Sequence, residues 1–150
     1  MNSQVVITGN RLQITRVFDA PRAVIFSWWS QAEKLQQWSG CKDATSCEIA
    51  MDFRIGGGFT QRMQIAGAGE FTLRGTYEEI VPNERIVYTV NLGRVVTRVT
   101  IDFSDHGAGA KVVLTHDGLP DDFLCKTISQ GTTESFEKLD VVLASLAEVR

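Results

Sequence analysis

Residues 121–149, DDFLCKTISQGTTESFEKLDVVLASLAEV, decide the fold of this chain. Leu124, Ile128, Thr132, Phe136, Leu139, Leu143 and Leu146 recur at steps of three and four, which puts them on one face of a long helix. A face of that length needs a cover. The segments before it are strand-like, and a helix laid across the apolar side of a sheet buries both surfaces together. Gly131, Thr132 and Ser135 interrupt the stripe with small or polar groups, so the helix is expected to stand off the sheet and leave a pocket.

Between residues 47 and 116 the apolar period changes to two. A short strand over 47–51 and a turn over 52–58 precede Phe59, Gln61, Met63 and Ile65, which alternate with polar residues. Gly67-Ala68-Gly69 then turns the chain into Phe71, Leu73, Gly75 and Tyr77. The next turn, Val81-Pro82-Asn83-Glu84, leads to Ile86, Tyr88 and Val90. Val95, Thr97, Val99, Ile101 and Phe103 form another strand, and a turn over 104–109 reaches Val112, Leu114 and His116. The opposite phase carries Arg62, Gln64, Arg74, Thr76, Glu78, Thr89, Asn91, Arg98, Thr100, Asp102 and Lys111, so one side of the sheet meets water and the other the long helix. Nearer the N-terminus, a strand over 11–18 turns Leu12, Ile14 and Phe18 to one face. Asp19 and Pro21 are suited to open a helix over 22–29, and Ser30 to cap a second over 31–38 that Ser39-Gly40 ends. The expected class is α+β. It is a helix-grip fold: one domain over 1–150, with a curved antiparallel sheet wrapped around a long C-terminal helix and two short helices after the first strand.

Composition removes several functions. With 150 residues and 43% hydrophobic content there is enough apolar material for one core. A net charge of −3 with scattered Lys and Arg gives no basic field, so no nucleic acid is expected as partner. The opening Met1-Asn2-Ser3-Gln4 has no export-signal pattern and no apolar run reaches membrane-spanning length, which predicts a cytoplasmic chain without a membrane partner. Cys41, Cys47 and Cys125 are odd in number and make no Cys-x-x-Cys pair, so they read as reduced thiols. His106 and His116 lack neighbouring ligands at metal-site spacing, and Gly56-Gly57-Gly58 is not followed by a Lys-Ser/Thr pair. No metal and no cofactor are expected.

Five segments carry a resemblance: Phe18-Asp19-Ala20-Pro21; Trp38 after the second helix; Asp52-Phe53-Arg54-Ile55-Gly56-Gly57-Gly58-Phe59; Gly75-Thr76-Tyr77-Glu78-Glu79-Ile80-Val81-Pro82; and Leu114-Thr115-His116-Asp117-Gly118-Leu119-Pro120. In order and spacing they resemble the START-like, birch-pollen-allergen-like superfamily, in its branch named for the activator of heat-shock protein 90 ATPase. The resemblance implies a hydrophobic cavity between the long helix and the sheet. Ser39 and Thr132 stand where members of that branch often carry tryptophan, which puts smaller polar groups near the cavity.

An apolar wall with a few hydrogen-bonding groups is the usual make-up of a small-molecule site. The residues expected to line it are Trp29, Trp38, Phe59, Gln61, Met63, Phe71, Tyr77, Tyr88, Thr97, His116, Phe123, Ile128, Thr132 and Phe136. His116 is the one catalytic candidate, since it continues the inward phase of Val112 and Leu114 and imidazole titrates near neutrality. The leading expectation is binding of a lipid-like, polyketide or aromatic molecule, favoured over catalysis. The resemblance implies two alternatives. One is a cyclase, dehydratase or hydrolase using His116; the other is a module that contacts a chaperone. Glu134 and Lys138 read as a helix-supporting pair, and Glu78, Glu79 and Arg85 as a solvated hairpin end. The oligomeric state is not legible.

Overall fold

A computed structural model, which describes residues 3–149, turns the period-two alternation into eight antiparallel strands and the long stripe into a 28-residue helix. The elements are β1 (Gln4–Thr8), β2 (Arg11–Phe18), α1 (Arg22–Ser30), α2 (Ala32–Trp38), β3 (Ala44–Met51), β4 (Gly58–Ile65), β5 (Gly69–Val81), β6 (Arg85–Asn91), β7 (Val96–His106), β8 (Gly109–Asp117) and α3 (Asp122–Val149). The sheet order is β1-β2-β8-β7-β6-β5-β4-β3, so β8 returns to lie beside β2 and the two helices span the connection between the halves. This is the helix-grip arrangement. Asn83, the one non-glycine residue described with positive φ (64°), makes the β5–β6 turn, as asparagine tolerates that region.

Register fixes which side chains share the concave face. Leu12 pairs with His116, His116 with Val99, and Val99 with Tyr88, while Thr97 pairs with Val90, Val90 with Gly75 and Gly75 with Phe59. Residues at paired positions project from the same side of a sheet. Gly75 is required there, because a Cβ would lie 2.0 Å from the Thr89 carbonyl oxygen and 2.5 Å from Phe59 Cε1. Its absence lets the Phe59 ring lie across the strand.

Several local expectations change. β1 was not anticipated; it is a five-residue edge strand that is mostly exposed and carries no alternation to betray it. Neither short helix is capped by a side chain: Pro21 and Gln31 are the N-caps, so Asp19 and Ser30 do not serve, and Ser30 Oγ donates instead to the Ser27 carbonyl. β7 runs to His106, and the turn expected over 104–109 contracts to Gly107-Ala108. Glu134 and Lys138 do not pair with each other. Glu134 Oε1 accepts from the Lys42 amide at 3.1 Å and Lys138 Nζ donates to the Cys41 carbonyl at 3.1 Å.

Arg16 is the largest departure. Strict alternation along β2 places it inward between Ile14 and Phe18, where it is buried and its guanidinium meets Asp140 of α3 and Ser3 Oγ. The pair ties the second half of α3 to the sheet.

Candidate functional site

The space between α3 and the sheet is divided in two. Under α1, α2 and the second half of α3 it is filled: Trp29 meets Trp38, Phe103, Phe136 and Phe18 at centroid distances of 4.6, 5.3, 5.9 and 6.3 Å, mostly edge to face. Edge-to-face packing is the favoured geometry for aromatic quadrupoles and leaves no lumen. Trp29, Trp38 and Phe136 were expected to line a cavity. They are core residues instead, and Trp38 Nε1 is satisfied by the Trp28 carbonyl at 3.1 Å.

Over β3–β6, below the first half of α3, the concave face stays partly open. Phe71 is 47% exposed, and Ile49, Phe59, Gln61, Leu73 and Tyr88 of the strands and Leu124, Ile128 and Thr132 of the helix are half-buried. Apolar side chains on an inward face are normally covered. Here they form the walls of a trough, open to solvent and lined by Phe59, Gln61, Phe71, Tyr88, Ile128 and Thr132 from the expected set. The close backbone approaches of α3 are to β2 and α2; in its first half Cys125 and Ser129 are buried, while Leu124 and Ile128 pack only partly covered against the core. The hollows of about 440 and 290 Å³ lie away from this shallow face, beside Val6, Thr8, Arg11 and Gln13 and beside Glu79, Val81, Glu84, Arg85, Asp102 and Phe103.

Met63, Tyr77, Thr97 and His116 form the buried floor. Phe123 does not belong to the site: it is 79% exposed, one residue out of phase with Leu124, and points to solvent. Thr97 Oγ1 and His116 Nε2 are hydrogen-bonded at 2.6 Å. Burial lowers the His116 pKa to about 4, so the imidazole is neutral at pH 7 and acts as a hydrogen-bonding group. Burial also raises the phenols of Tyr77 and Tyr88 and the thiol of Cys47, keeping all three protonated. The trough is therefore wet at its mouth, apolar on its walls and uncharged on its floor.

A strap closes one end. Gly40, Cys41 and Lys42 cross to α3, where Ser135 Oγ donates to the Gly40 carbonyl at 2.8 Å alongside the Glu134 and Lys138 bonds already described. Sequence reasoning missed the strap because its partners are more than ninety residues apart. Among the described residues no three His, Cys, Asp or Glu side chains are grouped to hold a metal ion, and no helix is long and apolar enough to cross a membrane.

The family model described as "Activator of Hsp90 ATPase homolog 1-like protein" matches residues 19–144. Among solved structures, a protein from Chromobacterium violaceum aligns with a TM-score of 0.81 at 24% identity, covering 89% of this chain and 96% of that one. A protein from Rhizobium leguminosarum aligns at 0.73 and 27% identity, covering 96% and 97%. The AHSA1 protein from Silicibacter pomeroyi aligns at 0.75 and 24% identity, covering 89% and 97%. No curated protein matches the chain.

Proposed function

Because the chain belongs to the activator of Hsp90 ATPase homolog 1-like family, whose members generally carry hydrophobic ligand-binding pockets, we propose that it binds a small hydrophobic molecule in the trough between the first half of α3 and β3–β6. One observation carries the reading: inward-facing apolar side chains, Phe71, Phe59, Leu73 and Ile128 among them, remain accessible on a face that is otherwise sealed. Covering ~200 Å² of such surface contributes roughly 5 kcal/mol before association costs, enough for weak to moderate affinity. His116 is held by Thr97 and uncharged, which suits a binding floor better than proton transfer.

Titration with the neutral dye Nile red tests the proposal. Saturable one-to-one binding is expected, weakened about tenfold or more by Ile128→Arg, which sets a charge in the trough wall. Val141→Arg, on the solvent side of α3, leaves binding unchanged. Absence of saturable binding, or equal loss in both variants, refutes it.

A further inference from the structure

Gln61 lies on the concave face of β4, between Ile49 of β3 and Leu73 of β5, and its amide has unusual company. Nε2 donates only to sulfur, to Cys47 Sγ at 3.6 Å and Met63 Sδ at 3.8 Å. Sulfur is a weak acceptor, and Cys47 remains a neutral thiol because burial raises its pKa. Among the described residues Oε1 has no partner at all. A primary amide that is half-buried in an apolar wall, with both its donor and its acceptor underused, retains much of its hydrogen-bonding capacity for something else.

Cations are scarce at this point. The cation whose charge reaches Cys47 is Lys138, and its ammonium group already donates to the Cys41 carbonyl at 3.1 Å. An anionic head would leave water for a wall whose donors are neutral, the Gln61 amide and the Tyr88 and Thr132 hydroxyls, while the Lys138 ammonium keeps its charge but is hydrogen-bonded to the strap. A head that both donates and accepts would match the amide with two reciprocal hydrogen bonds.

Resting on the trough reading above, we infer that Gln61 is its specificity residue. The ligand it selects has an apolar body and a neutral head that both donates and accepts hydrogen bonds, such as a primary carboxamide or a hydroxyl, in preference to a carboxylate. A site that holds a polar partner discriminates because the mismatched ligand leaves buried groups unpaired.

Displacement of Nile red by dodecanamide, 1-dodecanol and dodecanoate, at pH 8 where the acid is ionised, separates head from tail. Wild-type protein is expected to prefer the amide and the alcohol over dodecanoate by about tenfold or more relative to Gln61→Leu, a step equal to one good hydrogen bond. Each protein is read against its own Nile red affinity, and in the variant the advantage of the amide and the alcohol over dodecanoate shrinks by about that factor. Comparing ratios between proteins removes the differing water solubility of the probes. If wild type favours dodecanoate, or if Gln61→Leu keeps the wild-type ratios, the inference fails while the trough stands. If neither dye nor probe binds wild type, the trough reading fails and takes the inference with it. Gln61→Met, which keeps an unbranched side chain, gives the same readout should the leucine variant fold poorly.

Discussion

Asp140→Ala is expected to cost more stability than its place on a half-exposed helix face suggests. The Arg16 side chain is 5% exposed and that of Asp140 33%, and Arg16 Nε is enclosed without any partner. Removing one member of a buried ion pair costs about 3–5 kcal/mol because the other charge is stranded. Asp140 is partly hydrated, so its screened attraction argues for a value at or just below the bottom of that range, about 2–3 kcal/mol. For a chain of this size that corresponds to a fall in melting temperature of roughly 5–10 °C. Arg16→Met should behave differently. It removes the buried charge together with the orphaned Nε–H, an unpaired donor that itself costs about 1–3 kcal/mol, and leaves Asp140 free to rehydrate. Its net effect is expected within about 1 kcal/mol of zero. In that background Asp140→Ala should cost less than about 0.5 kcal/mol. Urea unfolding of the four proteins measures the cycle. An Asp140→Ala loss below about 0.5 kcal/mol, or an Arg16→Met loss as large as the roughly 2–3 kcal/mol expected for Asp140→Ala, would refute the assignment of this pair as a buried tie between β2 and α3.

Three further outcomes follow from the packing and the titrating groups. Phe136→Ala empties the centre of the aromatic cluster, where Phe136 is 1% exposed, and should destabilise by about 3–5 kcal/mol in urea unfolding; a loss under 1 kcal/mol means the sealed half is loosely filled. Gly75→Ala drives a methyl group into the Thr89 carbonyl and the Phe59 ring, and should cost at least about 2 kcal/mol and disturb dye binding through Phe59; wild-type stability in that variant contradicts the geometry. His116 has a folded pKa of about 4 against an unfolded ~6.5, so the unfolded chain takes up the proton first and stability falls as pH drops from 6.5 to 4. The difference amounts to ~3 kcal/mol, present in full above pH 6.5, and comparing His116→Asn with wild type at pH 4.5 and 7 isolates it from carboxylate titration; identical pH slopes in the two proteins exclude it.

The sheet and long helix were legible because period and length are local properties. Seven strands and three helices follow from alternation and three-to-four spacing alone, and the polar phase from Arg62 to Lys111 does face outward. What escaped has particular causes. β1 has too few residues and too little buried surface to pattern. Arg16 was visible in principle, since alternation through Leu12, Ile14 and Phe18 forces it inward, but a charge on an apolar face is easily passed over until Asp140 is found across from it. Phe123 was misassigned by composition against phase: Leu124 and Ile128 define the inner face, and Phe123 is about 100° away from Leu124. Sorting the aromatic residues into core and trough needed the docking of α1 and α2, which sequence spacing does not contain.

The small residues of α3 illustrate how a correct pattern can have a different cause. Gly131, Thr132 and Ser135 were read as places where the helix withdraws from the sheet. Ser135 is in fact buried and hydrogen-bonded to the strap, and a Cβ on Gly131 would lie 3.9 Å from that of Cys41. Ser135 is therefore polar and small because residues 40–42 cross there, Gly131 faces the same strap with room for a Cβ in ordinary contact, and Thr132 faces the trough. The opening arises one step removed: the strap and α2 occupy the middle of α3, the Arg16–Asp140 pair holds its second half against β2, and the first half leaves Leu124, Ile128 and Thr132 only partly covered. Stability and binding are thus assigned to different lengths of one helix. Ile128 and Phe136 are eight residues and ~12 Å apart along it, far enough for their contributions to add. That separation permits the trough walls to vary without loosening the core that positions them.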